Sequence, residues 1–237
     1  MIKKAFISGA SHGIGKAIAY QLASHGCHLA LNCKNSGEAL TQLCIELENQ
    51  YGIRAIPLIG DIGDYPTVCD IFTQIRQQMG DLHLLINNAG ISRVGLLSDM
   101  DVQDWQQMID TNLSSVFYCC KMAIPGMVRR QAGKILNISS VWGEAGASCE
   151  AAYSAAKGGV NALTKALAKE LAPSGIQVNA IACGCIDTRM NACFDPQERK
   201  ALEEEIPAGR YGTPQEAAAF AWQLLNANAH VTGQTLK

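Results

Sequence analysis

Along this chain the hydrophobic period switches repeatedly between that of a strand and that of a helix, and this alternation constrains the fold more than any other feature. The apolar run Ala5-Phe6-Ile7 leads into glycines and then into Ile14, Ala17, Ile18 and Leu22 at helical spacing. His28-Leu29-Ala30-Leu31 reads as a second strand, and Ala39, Leu40, Leu43 and Leu47 predict a helix over about 36–50. Ala55-Ile56-Pro57-Leu58-Ile59 reads as a third strand, followed by a helix near 66–79 and the strand Leu82-His83-Leu84-Leu85-Ile86. Further along come helices near 101–131, the strand Lys134-Ile135-Leu136-Asn137-Ile138, a helix near 152–172 and the strand Gln177-Val178-Asn179-Ala180-Ile181. Strands alternating with helices are βαβ units, and right-handed crossovers assemble them into a parallel sheet with helices on both faces. The strands are short and apolar, as burial on both faces requires. No Pro/Ser-rich linker, low-complexity tract or repeat interrupts the 237 residues, so one α/β domain over 1–237 is expected.

Composition removes several classes of function. An apolar content of 48% excludes disorder. Nineteen Lys+Arg against 21 Asp+Glu leave a net charge of −2, and the longest run of like charges is Glu203-Glu204-Glu205. Neither a nucleic-acid arm nor a polybasic membrane anchor is therefore expected. The ten cysteines form no CxxC pair and no zinc spacing, so we read them as reduced, mostly buried thiols in a cytoplasmic protein without a metal site. The N-terminus reaches Gly9 after the three apolar residues Ala5-Phe6-Ile7, too soon for a signal-peptide core. No apolar stretch approaches the roughly 18 residues of a membrane helix.

Ser8-Gly9-Ala10-Ser11-His12-Gly13-Ile14-Gly15 joins the first strand to the first helix. Glycines there permit a tight turn, a close approach of backbone N–H groups to a pyrophosphate, and close packing of helix on strand. The helix N-terminus adds partial positive charge and free donors. A purely structural βα turn remains the alternative; a Rossmann-type, doubly wound nucleotide fold is the reading this position favours. At the end of the second strand, NAD binders carry an acidic residue about 20 residues past the glycines. This chain has Asn32-Cys33-Lys34-Asn35-Ser36 there, with no carboxylate before Glu38, which favours NADP(H). Lys34 is read as a partner for a 2′-phosphate or, alternatively, as a solvated loop lysine.

Tyr153-Ser154-Ala155-Ala156-Lys157 sits at a helix start, which puts Tyr153 and Lys157 on one face. A tyrosine of pKa about 10 exchanges protons poorly at neutral pH unless its phenolate is stabilised. An ammonium one turn away, with a cationic oxidised nicotinamide nearby, is expected to lower that pKa. Ser140 ends the strand 134–138, at the edge where open α/β sheets bind ligands, and is placed to hold a substrate oxygen.

These residues resemble the short-chain dehydrogenase/reductases, from Lys3 to about Leu236. The family's T-G-x-x-x-G-x-G appears with Ser8 first, then Gly9, Gly13 and Gly15, flanking Ser11, His12 and Ile14. Its N-N-A-G is Asn87-Asn88-Ala89-Gly90, its structural and catalytic Asn looks like Asn112 in Thr111-Asn112-Leu113, and Ser140, Tyr153 and Lys157 complete a tetrad. Asp61-Ile62 matches the pair that packs on the adenine; Ile186 and Thr188 fall where the family contacts the nicotinamide carboxamide. The resemblance implies hydride transfer to a ketone carbon, with Tyr153 donating the proton, Ser140 orienting the oxygen, Lys157 holding the ribose and tuning Tyr153, and Asn112 supporting a proton-resupplying water chain.

Within the family the chain is most similar to 3-oxoacyl-[acyl-carrier-protein] reductases, through Asn87–Ser92, Thr111–Phe117, Ile206-Pro207-Ala208-Gly209-Arg210 and Val231–Leu236. That resemblance implies NADPH, an acyl carrier protein as partner, and a homotetramer paired through the helices near 112–131 and 152–172. Departures are His12 where many NADPH-dependent members have Arg, Cys183 where a Pro-Gly turn is expected, and an end at Lys237, which predicts a clipped last strand or interface tail. Arg129, Arg130 and Lys134 are candidates for a basic patch at the cleft mouth, or else a solvated helix end. Substrate choice is expected to lie in a lid near 188–210. The segment Val141–Glu150 is expected to line the cleft, and its Trp142, Glu144 and Glu150 resemble a branch that reduces an aminopentanone group on a lysine of elongation factor P. There a carboxylate would pair with the cationic substrate. A rival of another class, a non-catalytic nucleotide sensor or scaffold, is opposed by the presence of both Tyr153 and Lys157.

Overall fold

A computed structural model describes residues 3–191 and 195–237. Its centre is a seven-stranded parallel sheet of β1 (Lys4–Ile7), β2 (His28–Cys33), β3 (Ala55–Ile59), β4 (Leu84–Asn87), β5 (Gly133–Ser140), β6 (Ile176–Cys183) and β7 (Thr235–Leu236), in the spatial order β3-β2-β1-β4-β5-β6-β7. Successive residues of a strand feed opposite cores. Ala5 and Ile7 pack with helices α1 (Gly13–Ser24), α2 (Gly37–Tyr51) and α9 (Pro214–Leu225) on one face. Phe6 packs with α3 (Tyr65–Met79), α5 (Ser115–Arg130) and, past the single turn α6 (Trp142–Ala145), α7 (Ala151–Leu171) on the other. The doubly wound architecture read from the alternation is the one observed.

The chain leaves β1 in one direction through β2 and β3, and in the other through β4 to β7. That reversal opens a crevice at the C-terminal ends of β1 and β4, where doubly wound sheets bind ligands. The helix expected over 101–131 is two helices, α4 (Val102–Ile109) and α5, joined by a π-helical turn at Asp110–Ser114 that carries Asn112. Such a turn inserts a residue without breaking the apolar face, so periodicity alone reads straight through it. Past β6, α8 (Pro196–Glu205) and α9 begin at reciprocal capping boxes, Asp195 with Glu198 and Thr213 with Glu216. Two residues form the seventh strand, pairing Thr235 with Ala180 and Leu236 with Ile181.

Candidate active site

The glycine turn is a cradle closed to side chains. Gly9 and Gly13 hold φ values of 65° and 57°, a region that favours glycine. A Cβ on Gly15 would lie 2.4 Å from the Gly9 carbonyl oxygen and 2.5 Å from Asn88 Nδ2. Asn88 fixes the turn from the neighbouring strand, donating through Nδ2 to the carbonyls of Ser8 (2.9 Å) and Gly9 (3.0 Å). Ser8 Oγ accepts from the backbone N–H groups of Asn88 and Ala89. His12 occupies the N-cap of α1 but makes no side-chain cap; its Nδ1 meets Ser11 Oγ at 2.8 Å. The first N–H groups of α1 therefore keep their capacity to bind an anion, and the cradle fits a cofactor pyrophosphate. Burial and nearby Arg189 push the His12 pKa down, so His12 is a neutral hydrogen-bonding group at pH 7.

One cleft of about 810 Å³ connects this turn to the tyrosine. Gly9, Ser11, His12, Gly13, Ile14, Lys34, Asp61, Ile62, Asn88, Ala89, Gly90, Ser140, Tyr153, Lys157, Ile186 and Thr188 all line it. Gly15 and Asn112, also singled out from the sequence, lie behind the wall. Asn112 is fully buried; its Oδ1 accepts from Ile91 N and its Nδ2 donates to Ile91 O, both at 2.9 Å. At the far end, Lys34 Nζ pairs with Asp61 at 2.6 Å, so a 2′-phosphate would share this cation with a carboxylate.

β5 ends at Ser140, whose Oγ accepts from Trp142 N at 3.2 Å and which lies near enough to the Tyr153 hydroxyl to favour its phenolate. One turn beyond Tyr153 on α7, Lys157 is buried, donates to Ile138 O at 2.8 Å, and holds its Nζ 5.7 Å from the Tyr153 ring centroid. Burial pushes the Tyr153 pKa up to about 12; the Ser140 hydroxyl opposes this, and Glu150 and Cys183 reinforce it. Burial lowers Lys157 to about 8, against the pull of Cys183. The expected lowering of Tyr153 by its neighbouring ammonium is not found: burial dominates the shift, and Ser140 is the group that opposes it.

Two expectations are corrected by the geometry, and that for Glu150 is met. Glu144 does not line the cleft: its carboxylate pairs with Lys237 at 2.8 Å. Glu150 does line it and accepts from Ser92 Oγ at 2.5 Å. Within this chain the basic residues lie away from the cleft mouth, at the opposite, N-terminal edge of the sheet. There Arg129 pairs with Asp81, Arg130 donates to the carbonyls of Leu82 and Ala132, and Lys134 donates to the carbonyl of Ala227. From the segment 188–210, Met190, Asn191 and Leu202 reach the cleft, whereas Cys193 lies outside the described residues. Sequence reasoning missed Ser92 and Cys185 as lining residues; Ser92 closes the stretch Asn87–Ser92 and could have been found from it, whereas no local pattern marks Cys185, which β6 brings to the site from a distant segment. Among the described residues every cysteine is a free thiol, no cluster could hold a metal ion, and no helix is long and apolar enough to cross a membrane.

The family model for short chain dehydrogenase matches residues 3–199. The chain belongs to the short chain dehydrogenase family. This dehydrogenase is 40% identical to an uncharacterized oxidoreductase, YmfI, of Bacillus subtilis, over 100% of its own length and 97% of the relative's. It is 38% identical to the 3-oxoacyl-[acyl-carrier-protein] reductase FabG of Staphylococcus aureus (100% and 96% covered) and 36% identical to that of Escherichia coli (99% and 94%). A crystal structure from Agrobacterium tumefaciens, described as a candidate gluconate dehydrogenase, superposes with a TM-score of 0.93 at 34% identity, covering 99% of this chain and 93% of that one.

Proposed function

We propose that this dehydrogenase, acting as a single NADP(H)-binding domain over 1–237, reduces a ketone to a secondary alcohol in the manner of a 3-oxoacyl-[acyl-carrier-protein] reductase. One observation carries the reading: Tyr153, with Ser140 and buried Lys157 beside it, opens into the same cleft as the glycine cradle. A reduced nicotinamide cofactor supplies the hydride when bound. Gly9, Ser11, His12, Gly13, Ile14 and Gly15 would hold its phosphates, Asp61 and Ile62 its adenine, Asn88, Ala89 and Gly90 its ribose side, and Ile186 and Thr188 the nicotinamide end. Ser140 Oγ orients the ketone oxygen, and the Tyr153 hydroxyl gives that oxygen its proton as negative charge develops there. Lys157 stabilises the resulting phenolate, and Asn112 shapes the wall through which water returns the proton. NADPH is supported over NADH by Lys34 and by the lack of a carboxylate at the end of β2. The likeness to the two FabG reductases supports a 3-oxoacyl-[acyl-carrier-protein] as substrate; a homotetramer and a cytoplasmic setting are proposed with it from the resemblance of the sequence motifs to that subgroup.

A second reading is favoured by Glu150, which brings a carboxylate into the cleft: a ketone bearing a positive charge, such as an aminopentanone on a lysine of elongation factor P. Glu144 no longer supports it, being neutralised by Lys237. The deciding experiment compares NADPH oxidation with a 3-oxoacyl thioester, its carrier-protein form and an amino-ketone of equal length. Higher kcat/KM for the carrier form upholds the first reading. A tenfold or larger preference for the amino-ketone that disappears with added salt upholds the second. Turnover of none of them, by a protein that binds NADPH, would return the chain to the class of nucleotide sensors.

A further inference from the structure

Glu150 is the N-cap of α7 and Tyr153 stands three residues further on, in the first turn, so both belong to the same end of that helix. Both line the cleft. The carboxylate is not free to turn away, because Ser92 Oγ, from the segment after β4, donates to it at 2.5 Å. The residue before it, Cys149, adopts φ 62°, a left-handed conformation costly for a residue with a Cβ. The main chain thus bends sharply just where it delivers Glu150 to the cleft. Each feature holds a negative charge beside a buried phenol.

We propose that Glu150 is a positioning charge that governs the pH range over which Tyr153 exchanges its proton, and so biases this dehydrogenase toward ketone reduction rather than alcohol oxidation. The proposal rests on Tyr153 being the acid of the proposed reaction. The groups that face Tyr153 are Ser140 at the end of β5, Lys157 on α7, Cys183 at the end of β6, and Glu150 itself. Those that face Glu150 are Ser92 and, from the segment after β6, Cys185. Lys157 favours the phenolate and Ser140 assists it; Glu150 opposes both by like-charge repulsion with the phenolate, in agreement with the upward push it exerts on Tyr153. Reduction consumes the protonated phenol, and oxidation requires the phenolate to accept the alcohol proton. A fixed carboxylate therefore extends reduction to higher pH and delays the onset of oxidation.

The test is made on the whole enzyme with an uncharged ketone and its alcohol, so that recognition of a cationic substrate does not enter. Glu150→Gln is expected to move the alkaline limb of kcat/KM for reduction down by about one pH unit, and the rising limb of oxidation down with it. Oxidation at pH 7 then rises up to about tenfold. An independent readout needs no turnover: the phenolate absorbance titration of the protein minus that of Tyr153→Phe reports Tyr153 alone, and its midpoint should fall by the same amount in Glu150→Gln. Glu150→Asp keeps the charge and should restore the wild-type limb. Ser92→Ala keeps the carboxylate but frees it, and should fall in between, which provides a second route if Glu150→Gln does not fold. Unchanged limbs and titration midpoint in Glu150→Gln or Ser92→Ala, with the limb still absent in Tyr153→Phe, would overturn the proposal and leave Tyr153 as the acid. A limb that survives in Tyr153→Phe would instead remove Tyr153 from the reaction.

Discussion

The two edges of the sheet carry similar polar residues and use them in opposite ways. At the N-terminal edge, His83 Nδ1 accepts from Lys4 N at 3.1 Å, Arg130 and Lys134 donate to main-chain carbonyls, and Arg129 pairs with Asp81. Their hydrogen-bonding capacity closes loops. At the C-terminal edge, the α1 N-terminus has no side-chain cap, Ser140 and Tyr153 open into the cleft, and buried Lys157 makes its one strong bond to Ile138 O. Capacity there is held open for a ligand. A cation on this fold is thus read by the end of the strand it follows, not by its type.

The largest effect separating the two edges is expected for Tyr153→Phe. The ring keeps its packing while the only proposed proton donor is removed, so turnover should fall by at least about 10³-fold, within the range general acid catalysis contributes. NADPH binding, followed by fluorescence, should stay within about threefold, a change of less than one decade or 1.4 kcal/mol. Near-normal turnover would show that the C-terminal edge is arranged for binding alone.

Next comes the cradle. In Gly15→Ala the new Cβ meets the Gly9 carbonyl oxygen at 2.4 Å, a backbone contact that cannot yield without displacing the turn. Overpacking of this kind costs about 1–3 kcal/mol, and if it falls on the bound state NADPH affinity should drop roughly 10- to 100-fold. Isothermal titration reads it directly; unchanged affinity would mean that the phosphates sit elsewhere.

At the adenine end the expected effect is smaller. Cys33 is buried at the end of β2 and lines the cleft, so Cys33→Asp sets a carboxylate where a 2′-phosphate is proposed to sit. The ratio of kcat/KM for NADPH over NADH should fall about tenfold or more, one decade being about 1.4 kcal/mol. The Lys34–Asp61 pair keeps the starting preference modest, because Lys34 already holds a carboxylate at 2.6 Å. Equal use of both cofactors by the unmodified protein would remove Lys34 as a phosphate partner.

What the sequence made legible follows the same division. The glycine turn and the Tyr153–Lys157 pair are local patterns, fixed within a few residues of helix or strand, and they stand where the spacing predicts. The role of Glu150 was half legible: its nearness to Tyr153 along the chain is plain, but its bond to Ser92 spans 58 residues of sequence. Glu144 and Glu150 read alike in the sequence, and only three-dimensional contacts distinguish them: Lys237 pairs with Glu144, whereas Glu150 lines the cleft and accepts from Ser92. Arg129 and Arg130 were misplaced for the same reason. A run of cations reads identically at either end of a strand, and its partners Asp81 and Leu82 are long-range in sequence.

The smallest effect tests the N-terminal edge against itself. Arg130 donates to Leu82 O at 2.5 Å and to Ala132 O at 3.1 Å, tying α5 to the start of β4. Charged hydrogen bonds to partly buried carbonyls contribute about 1–3 kcal/mol, so Arg130→Ala should lower the denaturation midpoint by a readily measured amount. Arg129 forms a pair with Asp81 whose side chains are 64% and 37% exposed, and such pairs contribute about 0–1 kcal/mol. Arg129→Ala should therefore leave the midpoint nearly unchanged and show no dependence on salt beyond that of the parent. With a small uncharged ketone, both variants should keep kcat/KM within about twofold, well under one decade. A loss confined to a carrier-protein substrate in Arg129→Ala would give this edge a docking role. A loss on the small ketone would break the division of labour between the two edges.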